Sequence, residues 1–143
     1  MALEFSRFTP VESHIWGQPT IDIVREILPP QYMNTPQKVN ESLKPDQYEY
    51  YALHEKRAFV GFGALDPFFA EYEDGYEVTY LGVVAEKRAR GFGSMILHHL
   101  ETVSRNNGQA YLYLQDTNTS ATFYTAHGYE QKGLDYKYKS LQD

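Results

Sequence analysis

The stretch YLGVVAEKRARGFGSMILHHL, Tyr80 to Leu100, passes from a strand-like apolar run to a helical one through a turn dense in charge and glycine. Beyond the turn, Phe92, Ile96, Leu100 and Val103 recur at helical spacing, while His98, Glu101, Thr102 and Arg105 fall on the other side. Asn106-Asn107-Gly108 supplies the stop. Gly91 and Gly93 stand directly at the start of the helix, with Arg88 and Arg90 just upstream. The first turn of a helix leaves backbone N–H groups without intrahelical partners, and the helix dipole adds partial positive charge there. Glycine reaches φ > 0 without strain, so a turn built on it lets those N–H groups converge on one oxyanion. The segment therefore reads either as a phosphate site or as a tight strand-to-helix connection. It lacks the third glycine of the dinucleotide fingerprint, and no Gly-Lys-Ser/Thr follows for a nucleoside triphosphate.

The rest of the chain narrows the class. Its 143 residues suit one domain with a real core, and 42% apolar with 22% charged residues is ordinary for a soluble globular protein. The 13 Tyr and 8 Phe bring large rings, suited to pocket walls as well as to cores. Without cysteine, disulfides, thiolate nucleophiles and cysteine-ligated zinc are excluded. The net charge of −6 argues against a nucleic-acid-binding surface and favours small cationic partners. MALEFSRFTP lacks the basic-then-apolar pattern of a signal peptide, and no apolar run is long enough to span a bilayer. The expected location is cytoplasmic, with no membrane partner.

Outward from the opening stretch, MALEFSRF reads as a first strand, and PTIDIVREIL places Ile21, Val24 and Leu28 on one helical face. TPQKVNESLK reads as a second helix, with Thr35 as N-cap and Pro36 at the first helical position. YEYYALHE and AFVGFGAL read as strands joined by a turn around Glu55-Lys56-Arg57. Gly61 and Gly63 lie inside the second of these, where glycine marks a bulge or close packing. The acidic, aromatic loop DPFFAEYEDG leads into the strand YEVTYLGVV. After the long helix come a strand, AYLYLQ, a short helix, NTSATFYTAH, ended by Gly128, and a last strand or hairpin in YEQKGLDYKYKSL.

YLGVVAEKRARGFGSMIL resembles the central motif of the GCN5-related N-acetyltransferases (GNATs), an apolar strand followed by Arg/Gln-x-x-Gly-x-Gly/Ala opening a helix. Arg88, Gly91 and Gly93 occupy the three motif positions. Downstream, NTSATFYTAHGYE is similar to the family's second signature, Asn-x-x-Ala-x-x-apolar-Tyr-x-x-x-Gly-Phe. Asn118, Ala121, Phe123, Tyr124 and Gly128 match it, and Tyr129 stands in for the usual Phe. The resemblance covers Glu77 to the C-terminus well, and the first half only in element order. It implies an α/β (α+β) fold: a mixed, mainly antiparallel sheet of six to seven strands, flanked by about four helices, with splayed central strands. Residues 1–143 would form a single N-acetyltransferase domain.

The resemblance further implies acetyl-CoA as acetyl donor and no metal. The coenzyme's pyrophosphate would rest on the N–H groups of Arg88, Ala89, Arg90, Gly91, Phe92, Gly93 and Ser94. Its pantetheine arm would meet the strand backbone at Leu81 and Val83, with Asn118 reaching it from the other side. Ala85 departs from the family, which often has proline there. The family tyrosine makes Tyr124 the candidate acid for the coenzyme's sulfur, and Glu77 sits where many relatives carry a glutamate, the candidate base. A base is needed because a lysine-like amine, with pKa about 10.4, carries a deficit of about 4–5 kcal/mol in its reactive neutral form at pH 7.

The expected acceptor is a small-molecule or peptide amine, cationic and drawn in by Glu71, Glu73, Asp74 and Glu77. A homodimer is left open. Two other readings stand beside this one: an acyl-CoA-binding sensor or inactive relative, and a transferase using a longer acyl-CoA. The histidines add little. His98 and His99 are adjacent on a helix and face different ways, and His127 reads as a cap-region residue.

Overall fold

A computed structural model describes residues 3–9, 14–15, 18–19, 41, 43–72, 74–115 and 121–142. The strands are β1 (Leu3–Phe8), β2 (His14–Ile15), β3 (Gln18–Pro19), β4 (Glu49–Glu55), β5 (Ala58–Asp66), β6 (Gly75–Val83), β7 (Tyr111–Gln115), β8 (Glu130–Lys132) and β9 (Tyr136–Ser140). The helices are α1 (Phe92–Asn106) and α2 (Ala121–Ala126). Seven strands form one sheet in the order β1-β4-β5-β6-β7-β9-β8, and β2 pairs with β3 separately. All pairs in the large sheet are antiparallel except β6 with β7. Parallel neighbours need a crossover, and α1 supplies it. The last segment forms the β8–β9 hairpin. The helices expected at Ile21–Leu28 and from Thr35 fall outside the described residues, save that Glu41 and Leu43 are helical.

The sheet buries both faces. Against one face, Leu97 and Leu100 of α1 pack on Leu65, Val78, Leu112 and Leu114, while Phe92 and Ile96 meet Leu53, Val60 and Val83. Full burial of each such side chain is worth about 1.5–3 kcal/mol. The opposite face holds Leu43, Tyr50, Ala52, Phe62, Ala64 and Val84. Gly61 and Gly63 serve close packing. A Cβ at Gly61 would run into the Gly82 carbonyl, and one at Gly63 would sit 2.8 Å from Ile96 and Leu100 side-chain carbons. Among the described residues, no helix is long and apolar enough to cross a membrane.

The join between β6 and β7 matters most for function. Their pairing runs from Gly75↔Tyr111 to Val78↔Leu114 and stops. On the β5 side, Ala64 faces Tyr80 while Leu65 faces Val78, so Thr79 is an extra residue in β6. Such a bulge bends its strand and sharpens the local twist. The strand thus veers away just where the parallel pairing ends. Tyr80 to Val83 keep β5 on one side, with no strand beside them on the other among the described residues. This is the splay that the sequence resemblance implied.

Candidate active site

The chain leaves the open end of β6 through a turn of 3-10 helix, Ala85–Lys87, and enters α1. Ala89 (φ 62°) and Gly91 (φ 85°) both adopt the left-handed region, which Ala rarely does and Gly does freely. Gly91 is the N-cap of α1 and has no side chain to cap the first-turn N–H groups, which are left for an anion. Nearby charges brace this loop. The Arg88 Nε donates to the Val83 carbonyl at 2.9 Å, and Glu55 holds Lys87 at 3.3 Å and Arg90 at 4.0 Å. Gly93 borders the open strand: a Cβ on it would lie 3.6 Å from the Phe123 ring and 4.0 Å from the Leu81 side chain.

Tyr124, on α2, joins the same apolar cluster as Leu81, Phe123 and Val78. Its ring stands nearly edge-on to those of Phe123 (5.1 Å) and Tyr129 (5.7 Å). Burial pushes its phenol up to about 12, so it keeps its proton at neutral pH. Glu77 approaches from the other face of the sheet, since Val78 beside it packs under α1 and successive strand residues alternate. Its cross-strand partners are Asp66 on β5 and Tyr113 on β7. Burial, and then the Asp66 carboxylate, push Glu77 up to about 7, with Lys44 opposing them. Asp66 is itself buried, and accepts from Gln47 Nε2 at 3.2 Å and from the Phe68 N–H at 2.9 Å. Beside Glu77 the sheet carries a wall of rings: Tyr72 stacks on Tyr113 at 4.9 Å, and Phe69 and Tyr136 close around them at 5.5–5.6 Å.

The helix mouth, the open strand and Tyr124 are thus together, and Glu77 lies across the same strand. With this geometry in place, comparison with known proteins is decisive. The acetyltransferase (GNAT) domain profile matches residues 46–131, more than half of the chain. The chain belongs to the GNAT acetyltransferases. Solved structures share its fold over nearly the whole length. An aminoglycoside 6'-acetyltransferase type Ii is 22% identical, with 98% of each chain covered and a TM-score of 0.75. GCN5 of Tetrahymena is 13% identical, over 97% of this chain and 96% of the other, with a TM-score of 0.73. The PaiA N-acetyltransferase of Thermoplasma acidophilum, solved in complex with coenzyme A, is 17% identical over 98% of this chain and 99% of that one, with a TM-score of 0.68.

Several residues of this GNAT chain sit differently from their sequence reading. Asn118 and Glu73 lie outside the described residues. Glu101 was expected on the polar side of α1, yet it is 4% exposed. It accepts from the Tyr129 hydroxyl at 2.8 Å and from Lys139 Nζ at 3.2 Å. Helix α1 packs on the sheet, and Tyr129 and Lys139 reach Glu101 beyond its apolar stripe, so its buried face includes Leu97, Glu101 and Ser104. His98 and His99 turn apart, as their adjacency suggested: His98 is exposed beside Glu101 at 3.9 Å and His99 is half-buried, and both border an open apolar pocket of about 360 Å³ with Phe5, Ser94, Met95 and Thr102. The His99 ring stacks on Phe5 at 4.0 Å. His127 does cap α2, but it also reaches Ser94 in the first turn of α1. Among the described residues, no group of three or more His, Asp or Glu is placed to hold a metal ion.

Proposed function

We propose that this chain, as a single N-acetyltransferase domain over residues 1–143, moves the acetyl group of acetyl-CoA to a primary amine by direct attack in a ternary complex. The observation that carries this is the end of β6 beyond Val78, which pairs with β5 but, among the described residues, has no strand on its other side, and which lies between the uncapped mouth of α1 and the carboxylate of Glu77. In this reading the N–H groups from Arg88 to Ser94 receive the pyrophosphate, where backbone donors and the helix dipole favour an anion. The backbone at Leu81 and Val83 holds the pantetheine arm as a neighbouring strand would, and Asn118 meets it from the far side. This directs the thioester along the splay toward Tyr124.

The amine enters from the opposite face. Aromatic faces beside carboxylates favour a cation, which suits Tyr72, Tyr113 and Tyr136 near Glu77 and Glu71. Glu77, with its pKa pushed up to about 7, takes the proton of the ammonium near neutral pH, directly or through water. The amine nitrogen then bonds to the acetyl carbon, the C–S bond breaks with its electron pair on sulfur, and the surplus proton of the nitrogen passes to the thiolate, directly or through water. Tyr124 donates a hydrogen bond to that developing thiolate. A phenol held up to about 12 gives up its proton only as far as the sulfur's own burial raises its basicity, so its main work is charge stabilisation.

The test is thiol release from acetyl-CoA in the presence of a panel of amines: polyamine, lysine peptide, peptide N-terminus, amino sugar and arylalkylamine. Amine-dependent release with formation of the acetylated amine is expected. If coenzyme binds and no amine is acetylated, the chain is a sensor or an inactive relative and the transferase reading fails. A preference for a longer acyl-CoA would replace the donor and leave the amine chemistry in place.

A further inference from the structure

The ring of His127, just after α2, joins two elements. Its Nδ1 lies 2.8 Å from the Phe123 carbonyl oxygen and its Nε2 lies 2.8 Å from Ser94 Oγ. A carbonyl only accepts, so Nδ1 carries a hydrogen. With the ring neutral, Nε2 is then an acceptor, and the Ser94 hydroxyl donates to it. Ser94 is the third residue of α1 and belongs to its first turn. While its hydrogen is held by His127, the hydroxyl shows only lone pairs to an anion at the helix mouth.

We propose that Ser94 and His127 form a proton-coupled coenzyme clamp, in which His127 takes up a proton when coenzyme binds and frees the Ser94 hydroxyl to donate to the phosphate. The proposal rests on the placement of the pyrophosphate at the mouth of α1. With a proton on Nε2, that N–H donates to Oγ and the Oγ–H donates to a phosphate oxygen, so every polar group keeps a partner. The proton comes from solvent, and the only bond made is N–H. Turning the hydroxyl without protonation would instead leave the half-buried Nε2 without a donor. The charge also helps directly, as a cation beside the bound anion.

Among the described residues, the ionisable groups on the neighbouring elements include His98, Lys139, Arg88 and Arg90, with Tyr124 on α2 itself. His98 stands one turn beyond Ser94 on α1, near Glu101 at 3.9 Å. From β9, the Lys139 stem passes 3.6 Å from the position of a Cβ on Gly128. Arg88 and Arg90 precede α1, and its first turn has no acidic residue. The Phe123 ring covers the imidazole at 4.5 Å.

The experiment is calorimetric titration with dephospho-coenzyme A at pH 7, in buffers of different ionisation enthalpy, repeated from pH 8 to pH 6. This ligand keeps the pyrophosphate and lacks the 3′-phosphate monoester, a group whose second ionisation falls near pH 6. The expected result is uptake of a fraction of a proton per ligand bound, and affinity that strengthens several-fold toward pH 6. His127→Gln should abolish both and weaken binding. Ser94→Ala, which removes the middle of the relay without touching the ring, should reduce both and weaken binding, and His98→Gln should keep both. Normal binding without proton uptake, or uptake that survives His127→Gln, would overturn the clamp and leave the coenzyme site standing. Failure of the unaltered protein to bind either dephospho-coenzyme A or coenzyme A would overturn the site itself, and the clamp with it.

Discussion

Glu77 is held where its ionisation is unfavourable, and a single substitution separates the two consequences. Glu77→Gln should lower kcat by about a hundredfold or more, the scale of a placed base, and should remove the rise in rate through pH about 7. It should also stabilise the free protein at pH 8, by on the order of 1 kcal/mol after discounting for partial exposure. The sign follows from the folded-state pKa lying above the ordinary carboxylate value: as pH rises through about 7, the folded state must carry a charge that burial and Asp66 oppose. Near pH 5 both forms are largely neutral in the fold and should melt alike. A variant with unchanged kinetics and no gain in Tm at pH 8 would move the base elsewhere. Tyr124→Phe deletes only the hydroxyl, so kcat should drop about tenfold or more while the coenzyme KM holds. Unchanged turnover, measured where chemistry limits, would leave Tyr124 a packing residue. Tyr124 is visible in the sequence as a candidate because it stands at a motif position, and Glu77 because many relatives carry a glutamate there. The pressure of Asp66 on Glu77 is not, since it arises from strand register across a long loop. Glu101 is misread from spacing alone, because a helix covered from two directions buries a wider face than its apolar stripe marks.

At the scale of elements, the strands, the long helix and its glycine-bearing mouth are legible from period and turn chemistry. The bulge at Thr79 is not: a single extra residue leaves no mark on an apolar run, and it is detected only against the partner strand. Yet this bulge falls where the β6–β7 pairing ends. The glycines inside β5 hold the other side of β6 in place. A Cβ at Gly61 would strike the backbone of Gly82, with Val83 Cα 3.0 Å away, so relief requires the two strands to part. Gly61→Ala should therefore cost about 1–3 kcal/mol and lower the Tm by several degrees. Gly63→Ala meets the buried side chains of Ile96 and Leu100 rather than backbone, and these can shift where a backbone cannot, so it should cost less. Equal melting of both variants and the unaltered protein would mean that β5 and β6 pack less closely than described.

For the whole molecule, the sheet acts as a partition. One face carries α1, the helix mouth and Tyr124, and the other carries Glu77, Asp66 and the tyrosine wall. The gap beyond Val78 joins the two sides. This division explains why the proposed coenzyme half of the site is readable in the motifs, while of the proposed acceptor half only the acidic residues, Glu77 among them, are. The first depends on backbone geometry that a few glycines and a tyrosine signal, and the second on side chains gathered from distant strands and loops. The central claim is that the mouth of α1 holds the coenzyme, and Gly93 allows it to be tested apart from folding. A Cβ there meets only Phe123 and Leu81 at ordinary contact distance, so Gly93→Ala should fold and melt as the unaltered protein does. Gly93→Asp adds a negative charge where the pyrophosphate should lie. The decisive measurement is the thermal shift given by coenzyme A at about 100 times its dissociation constant, expected to reflect about 2.7 kcal/mol of stabilisation in the unaltered protein. The account expects that shift to vanish in a folded Gly93→Asp variant, whereas an equal shift in the variant, or none in the unaltered protein, would contradict it.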